Sequence, residues 1–178
     1  MGKRSDFERN PRDFYRTPVE AVHPLIPHLN WKINQKWIEP CAGDGALIDH
    51  IDHLTPKEFL CTEAYDIHPM DESIMERDFF DLEVGEHIDY VITNPPWDRK
   101  FLHPMLEKCR TFPCPTWLLF DADWPHTKQS STYMEYCDKI VAVGRVKWIP
   151  DSKFTGKDNC CWYRFQPKPT SSVEFIGR

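Results

Sequence analysis

The sequence has no C-x-x-C pair, although it contains seven cysteines. That absence removes the usual zinc-knuckle and redox spacings. The adjacent Cys160-Cys161 suits neither a simple disulfide nor a knuckle. An odd cysteine count without paired spacing reads as reduced, mostly buried thiols. The eight histidines do not gather at ligand spacing, so they read as surface or packing residues and no metal is expected. No apolar run is long enough to span a bilayer, which argues against a membrane partner. The opening stretch MGKRSDFERNPRD has no hydrophobic signal segment, and Asp6 and Phe7 stand where a myristoylation signal needs Ser or Thr. A cytosolic protein is expected. Internal repeats and low-complexity tracts are missing too. No G-K-[ST] follows a glycine loop, which excludes a phosphate-cradling P-loop.

What is present fits one globular domain over 1–178. The chain is 40% hydrophobic and 28% charged, enough for a sizeable core. Residues 1–16 read as an irregular basic segment and residues 166–178 as a tail. The net charge of −6 is unevenly spread. Residues 1–16 carry five Lys/Arg against three Asp/Glu, and residues 139–178 carry eight against three. The acidic body between them can still belong to a nucleic-acid-binding protein if the basic ends converge.

Strand and helix patterns alternate. Thr17-Pro18 is a helix-start signal, and a helix over Val19 to Leu29 is expected, interrupted by Pro24 and Pro27. Strands are expected at Trp37-Ile38, Phe59 to Ile67, Asp89 to Thr93 and through TWLLFDADW. Helices are expected from Ala46 to Ile51, Phe101 to Cys109 and Thr132 to Cys137. KIVAVGRVKWI and NCCWYRF read as two late strands, a hairpin joined across Lys157-Asp158. This order indicates an α/β fold with a mostly parallel sheet and an antiparallel late strand. Ligands in such sheets sit at the carboxyl ends of the strands, where the motifs fall.

EPCAGDGAL places Gly43 and Gly45 between a strand and a helix, where a missing Cβ permits a sharp turn and close ligand approach. Ile48 stands where the dinucleotide fingerprint has its third glycine. Glu39 closes the preceding strand, and a carboxylate there suits an ammonium-bearing ligand better than a pyrophosphate. AYDIHP ends the next strand. Asp66 fits the carboxylate that grips both ribose hydroxyls of a nucleoside, with Glu63 the nearby competitor. In RDFFD, Asp78 suits an adenine amino group, and Phe79 or Phe80 a purine face.

These residues resemble a class I S-adenosylmethionine-dependent methyltransferase, a Rossmann-like fold. NPPW (94–97) resembles the D/N/S-P-P-Y/F/W signature of amino-methyltransferases, above all the DNA N6-adenine enzymes. The order RTP, EPCAGDG, AYDIHP, RDFF, NPPW resembles the gamma arrangement, with the look of small phage-encoded adenine methyltransferases, over about residues 13–165. The resemblance implies S-adenosylmethionine as cofactor and action in a bacterial or phage-infected cytoplasm. It implies Thr17, Pro18, Glu39 and Gly43 near the methionine part, Asp66 at the ribose, and Asp78 with Phe79 at the adenine. Ala42, Gly45, Ile67 and Asn94 join the implied cofactor contacts.

The exocyclic amine of adenine is a poor nucleophile because its lone pair is delocalised into the ring. It needs acceptors aimed at its two N–H bonds so that nitrogen pyramidalises. Asn94 offers a side-chain oxygen and Pro95 a backbone carbonyl, held by the rigidity of Pro95 and Pro96. Trp97 offers a flat surface for an extruded base. In the basic late segment, Arg145, Lys147, Lys153, Lys157 and Arg164 are candidates for phosphates, and Trp148 or Phe154 for bases. The resemblance implies a late aromatic that encloses the base, assigned to Phe154. Trp162 and Phe165 read as core.

No separate target-recognition domain is apparent. Only loops around 97–100, 124–131 and 150–158 remain to read a sequence, so specificity is short, relaxed or supplied by a dimer partner. Three functions fit: a DNA N6-adenine methyltransferase, a same-fold enzyme acting on RNA adenine or protein glutamine, or a non-catalytic cofactor or nucleic-acid binding module. The intact Asn94-Pro95-Pro96-Trp97 speaks against the last.

Overall fold

Eight strands form one sheet in the order β3-β2-β1-β4-β5-β7-β6-β8 in the computed structural model, which describes residues 14–30, 34–149 and 155–178. The strands are β1 (Lys36–Glu39), β2 (Leu60–Asp66), β3 (Met75–Glu76), β4 (Tyr90–Thr93), β5 (Thr116–Asp121), β6 (Cys137–Gly144), β7 (Cys160–Phe165) and β8 (Glu174–Ile176). Neighbours pair in parallel except β7, which runs antiparallel to both β5 and β6. The expected α/β class with a mostly parallel sheet and an antiparallel late strand is what forms.

Both faces of the sheet are buried, and the central strands alternate between two cores. Trp117, Leu119, Cys160, Trp162, Val141 and Ile92 point to one core. Leu118, Phe120, Cys161, Tyr163, Ile140 and Val91 point to the other. This period-two exchange explains the adjacent Cys160 and Cys161, which lie on opposite faces as two unpaired thiols. Helices α1 (Val19–Val22) and α2 (Ala46–Leu54) pack on the first face. Helix α3 (Arg99–Cys109) packs on the second through Leu102, Met105, Leu106 and Cys109. Burial of these large apolar side chains contributes roughly 1.5–3 kcal/mol each, before the conformational entropy of ordering them.

Several elements differ from the sequence reading. The expected 19–29 helix is one turn, α1, followed by a 3-10 turn at Ile26–His28, because Pro24 and Pro27 each remove a donor. Pro104 does not stop α3, whose interior it occupies. TWLLFDADW is a strand only to Asp121, and Trp124–His126 is a 3-10 turn. The helix expected over 132–137 is α4 (Ser131–Met134), and Cys137 instead opens β6. Strand β6 ends at Gly144, whose φ of +88° breaks extended backbone, so 145–149 do not continue it. Strand β8 lies in the stretch read as a tail and pairs in parallel with β6. No helix among the described residues is long and apolar enough to cross a membrane.

Strand order reverses direction at β1, which has β2 on one side and β4 on the other. Loops that leave β1 and β4 therefore diverge over opposite faces at the carboxyl edge, the place where such sheets bind ligands. The glycine loop follows β1, and NPPW follows β4.

Candidate active site at the switch point of the sheet

The glycine loop turns twice through left-handed backbone. Gly43 has φ +55° and Gly45 has φ +79°, and Gly45 caps α2 without a side chain. Asp66, at the end of β2, holds this loop. Its Oδ2 accepts the Gly43 N–H at 2.8 Å, and its Oδ1 accepts the His68 N–H at 2.8 Å. Two further backbone bonds, from Ala42 N–H to Tyr65 O and from Met70 N–H to Gly43 O, tie the same strand end to the loop. Glu63 is differently engaged: its carboxylate accepts the Tyr65 hydroxyl. Of the two candidate acids, the structure brings only Asp66 against the glycine loop.

Glu39 is 1% exposed, and its Oε2 has no hydrogen-bond partner among the described residues. Burial pushes its carboxyl well above the ordinary range, and the nearby Asp66 and Asp44 push in the same direction. An orphaned buried acceptor is costly unless something else satisfies it. A cationic group placed beside Glu39 would favour its ionised form and satisfy the orphaned oxygen. Ala42 is buried at the foot of the loop.

Residues 14–17 cross from this loop to NPPW. The Phe14 ring lies on Gly43 so closely that a Cβ there would sit 2.4 Å from it. Arg16 Nε pairs with Asp44 at 2.9 Å. Thr17 is buried, and its Oγ1 accepts from Asn94 Nδ2 at 3.1 Å, while the Tyr15 carbonyl accepts from the same nitrogen at 3.4 Å. Pro18 stands at the N-cap of α1, and no side chain caps that helix.

At the end of β4, Asn94 Oδ1 accepts the Trp97 indole N–H at 3.2 Å. Pro95 is buried, and Asn94, Pro96 and Trp97 are half-buried. The Trp97 ring meets Trp148 edge-on, with centroids 5.3 Å apart and planes at 88°, and Tyr15 packs edge-on against Trp148 at 6.5 Å. The sequence reading has Trp97 as a plain stacking surface. The structure also pins its N–H to the amide that was expected to receive the target amine.

Asp78 caps the 3-10 turn Phe79–Asp81 by accepting the Phe80 N–H at 2.9 Å. Phe79 is 6% exposed and packs in the core against Phe112, so its ring face is taken, whereas Phe80 is 42% exposed. Exposed Ile67 extends the strand end beyond Asp66. The late segment divides. Lys153 and Phe154 lie outside the described residues. Arg145, Lys147 and Lys157 are exposed. Arg164 is not a free cation: it makes a two-point ion pair with Asp138, at 2.8 Å to each oxygen, and its guanidinium lies over Trp117. It also sits near the far end of the sheet, because the Phe165 beside it pairs with Thr116 at the start of β5. Trp162 and Phe165 are core, as expected.

Sequence reasoning missed the Thr17–Asn94 bond and the Tyr15–Trp148–Trp97 aromatic group. The pair Phe14-Tyr15 just ahead of Thr17-Pro18 was the available signal, in a stretch read only as irregular and charged.

No protein-family model and no curated protein matches this chain. Solved structures do. One from Listeria monocytogenes, described as a class I S-adenosylmethionine-dependent methyltransferase, matches with TM-score 0.62 and 13% identity over 89% of this chain and 64% of its own. The 23S rRNA methyltransferase ErmE matches with TM-score 0.56 and 13% identity, over 88% and 71%. The type IIG restriction endonuclease BpuSI matches with TM-score 0.56 and 13% identity, over 90% of this chain and 26% of its own. The chain thus spans just under two thirds of the Listeria protein and about a quarter of BpuSI. At these identities the likeness establishes the fold, which is that of the class I methyltransferases.

Proposed function

We propose that this chain is an S-adenosylmethionine-dependent methyltransferase that modifies the N6 amine of adenine in DNA. The observation that carries the reading is the pairing of two features at one carboxyl edge of the sheet, bridged by residues 14–17. On one side is the glycine loop with the orphaned Glu39 carboxylate. On the other is Asn94, its amide oxygen at the carboxyl end of β4 beside the Trp97 ring. The fold supports the reading by placing both at the switch point.

The residues fit the cofactor. Glu39 suits the ammonium of its methionine part, Asp66 the ribose diol, and Asp78 with Ile67 and Phe80 the adenine. Bound there, the cofactor supplies a methyl group on a sulfonium whose departure as a neutral thioether needs no acid. Asn94 Oδ1, which has a second lone pair beyond the one facing Trp97, and the Pro95 carbonyl accept the two N6–H bonds. That draws the nitrogen lone pair out of the ring and towards the methyl. The methylated N6 would be strongly acidic and would lose one proton to water. No side chain has to act as base, and in-line placement with preorganised acceptors supplies the acceleration. Trp97 holds the extruded base by stacking, worth about 1–3 kcal/mol. The exposed Arg145, Lys147 and Lys157, with Lys153, are the phosphate contacts in this reading.

A second reading, the same chemistry on RNA adenine, is favoured by the structural likeness to an rRNA methyltransferase. The test is direct. Purified protein is incubated with methyl-labelled S-adenosylmethionine and equal masses of duplex DNA, RNA and cell protein. Label in N6-methyladenine of DNA is the expected result. Label in RNA alone establishes the second reading, and label in protein alone moves the target to a glutamine amide. No label in any pool overturns the catalytic reading.

A further inference from the structure

Thr17 stands in a Thr-Pro pair that reads as the start of a helix, yet its hydroxyl does not cap one. The side chain is 6% exposed, and its Oγ1 lies 3.1 Å from Asn94 Nδ2, 77 residues away in sequence. An asparagine side chain has two chemically opposite ends, and only its oxygen can receive an amine N–H. The partners around Asn94 decide which end faces where. The Tyr15 carbonyl can only accept, and it lies 3.4 Å from Nδ2. The Trp97 indole N–H can only donate, and it lies 3.2 Å from Oδ1. A flipped amide would set oxygen against a carbonyl and NH2 against an N–H. Thr17 provides the shorter of the two contacts on the nitrogen end, and it is buried.

Resting on the function proposed above, we infer that Thr17 is the positioning residue of the amine clamp. The Tyr15 carbonyl and the Trp97 indole set which end of the amide is which, and Thr17, whose hydroxyl accepts from Nδ2, anchors it there so that Oδ1 faces both the Trp97 indole and the incoming target nitrogen. This differs from a role at the methionine part of the cofactor, and the two roles separate experimentally. Thr17→Val keeps shape and burial and deletes the acceptor. Thr17→Ser keeps the acceptor and deletes a methyl group.

The experiment has two readouts on the full chain. The first needs no substrate. In protein labelled with 15N-tryptophan, the Trp97 indole resonance is identified by its loss in Trp97→Phe, and its hydrogen exchange with water is measured. Thr17→Val should speed that exchange about tenfold or more, because the Asn94 oxygen is no longer held on the N–H. Thr17→Ser should stay within about twofold of wild type. The second readout is methylation of the labelled nucleic acid. Thr17→Val should lower kcat about tenfold or more with cofactor Kd within twofold of wild type, and Thr17→Ser should restore most of kcat. Unchanged indole exchange in Thr17→Val overturns the inference. Cofactor Kd rising in step with the loss of kcat also overturns it and makes Thr17 a cofactor contact. Thr17→Ser behaving like Thr17→Val overturns it as well, leaving only packing. If wild type labels no substrate, the proposed function fails, and the exchange measurement still decides whether Thr17 orients Asn94.

Discussion

Replacing Asp66 with Asn tests the cofactor half of the site without changing its shape. In the structure the two carboxylate oxygens each accept one backbone N–H at 2.8 Å, from Gly43 and from His68. Asparagine has a single oxygen, so one of those N–H groups must face its NH2. The Gly43 bond is part-buried and the His68 bond is exposed, so the oxygen should turn to Gly43 and water should take over at His68. A charge-assisted bond of about 1.5–3 kcal/mol then becomes a neutral one of about 0.5–1.5 kcal/mol. The ligand-free protein should lose about 1–2 kcal/mol, which for a chain of this size is a Tm fall of about 2–8 °C. Ribose recognition should lose more, since its diol meets one neutral oxygen and an NH2 in place of a charged acceptor. A loss of about 1.5–3 kcal/mol corresponds to a tenfold to hundredfold rise in Kd. Thermal melts of the ligand-free variant and calorimetric titration with S-adenosylmethionine measure the two effects separately. An unchanged Kd with a lowered Tm would refute the ribose assignment and leave Asp66 as the brace of the glycine loop. An unchanged Tm would refute the brace.

Other outcomes follow from the remaining site residues. Asn94→Ala should cut kcat by about two orders of magnitude or more while leaving cofactor Kd nearly unchanged, as single-turnover methylation and titration would show. Parallel loss of both would assign Asn94 to the cofactor pocket. Trp97→Ala should weaken productive base binding, whereas Trp97→Tyr should keep most activity because a flat ring remains; equal loss in both variants would count against stacking. Glu39 carries a pH prediction. Its carboxyl is raised well above the ordinary 4.5, chiefly by burial, so the unfolded chain gives up this proton first. Its stabilising contribution is fully present below pH 4.5 and is lost as pH rises through the raised folded value. Glu39→Gln should therefore flatten that part of the Tm–pH curve and stabilise the ligand-free protein at neutral pH, while weakening cofactor binding. A variant with the wild-type slope would show that Glu39 ionises normally. Neutralising Lys153 and Lys157 together should lower the slope of log K against log salt by about 0.9 for each lost DNA contact, and a wild-type slope would make them solvated only.

Much of this fold was legible because its strands announce themselves. The cores of β4 and β5, YVI and WLLF, are apolar throughout, as both-face burial requires, and a carboxylate stands at one end of each. The short edge strand Met75–Glu76 had no such signal: two exposed residues carry no hydrophobic pattern. Strand β8 was hidden for a related reason, since Phe175 is 65% exposed and the stretch around it is polar. Gly43 and Gly45 were legible because they depend on local backbone rules. Arg164 was misjudged because a basic residue in a sequence does not reveal its partner, and Asp138 lies on the neighbouring strand. Phe79 and Phe80 were ambiguous for the same reason: adjacent identical residues take opposite fates once a turn chooses which one faces the core.

The glycine at position 43 shows how a correct motif reading can have more than one cause. Its φ of +55° alone disfavours a side chain. Its N–H is committed to Asp66, so the peptide must turn towards β2. Without any ligand, the Phe14 ring already occupies the space a Cβ would need. The fold alone therefore imposes three demands on that position, before any close approach of a cofactor is invoked. The same segment that brings Phe14 to Gly43 places Arg16 on Asp44 and Thr17 on Asn94. Glycine loop and amine clamp are thus joined through four consecutive residues as well as through the sheet. Phe14 against Gly43 and Thr17 against Asn94 are three residues apart in that one segment.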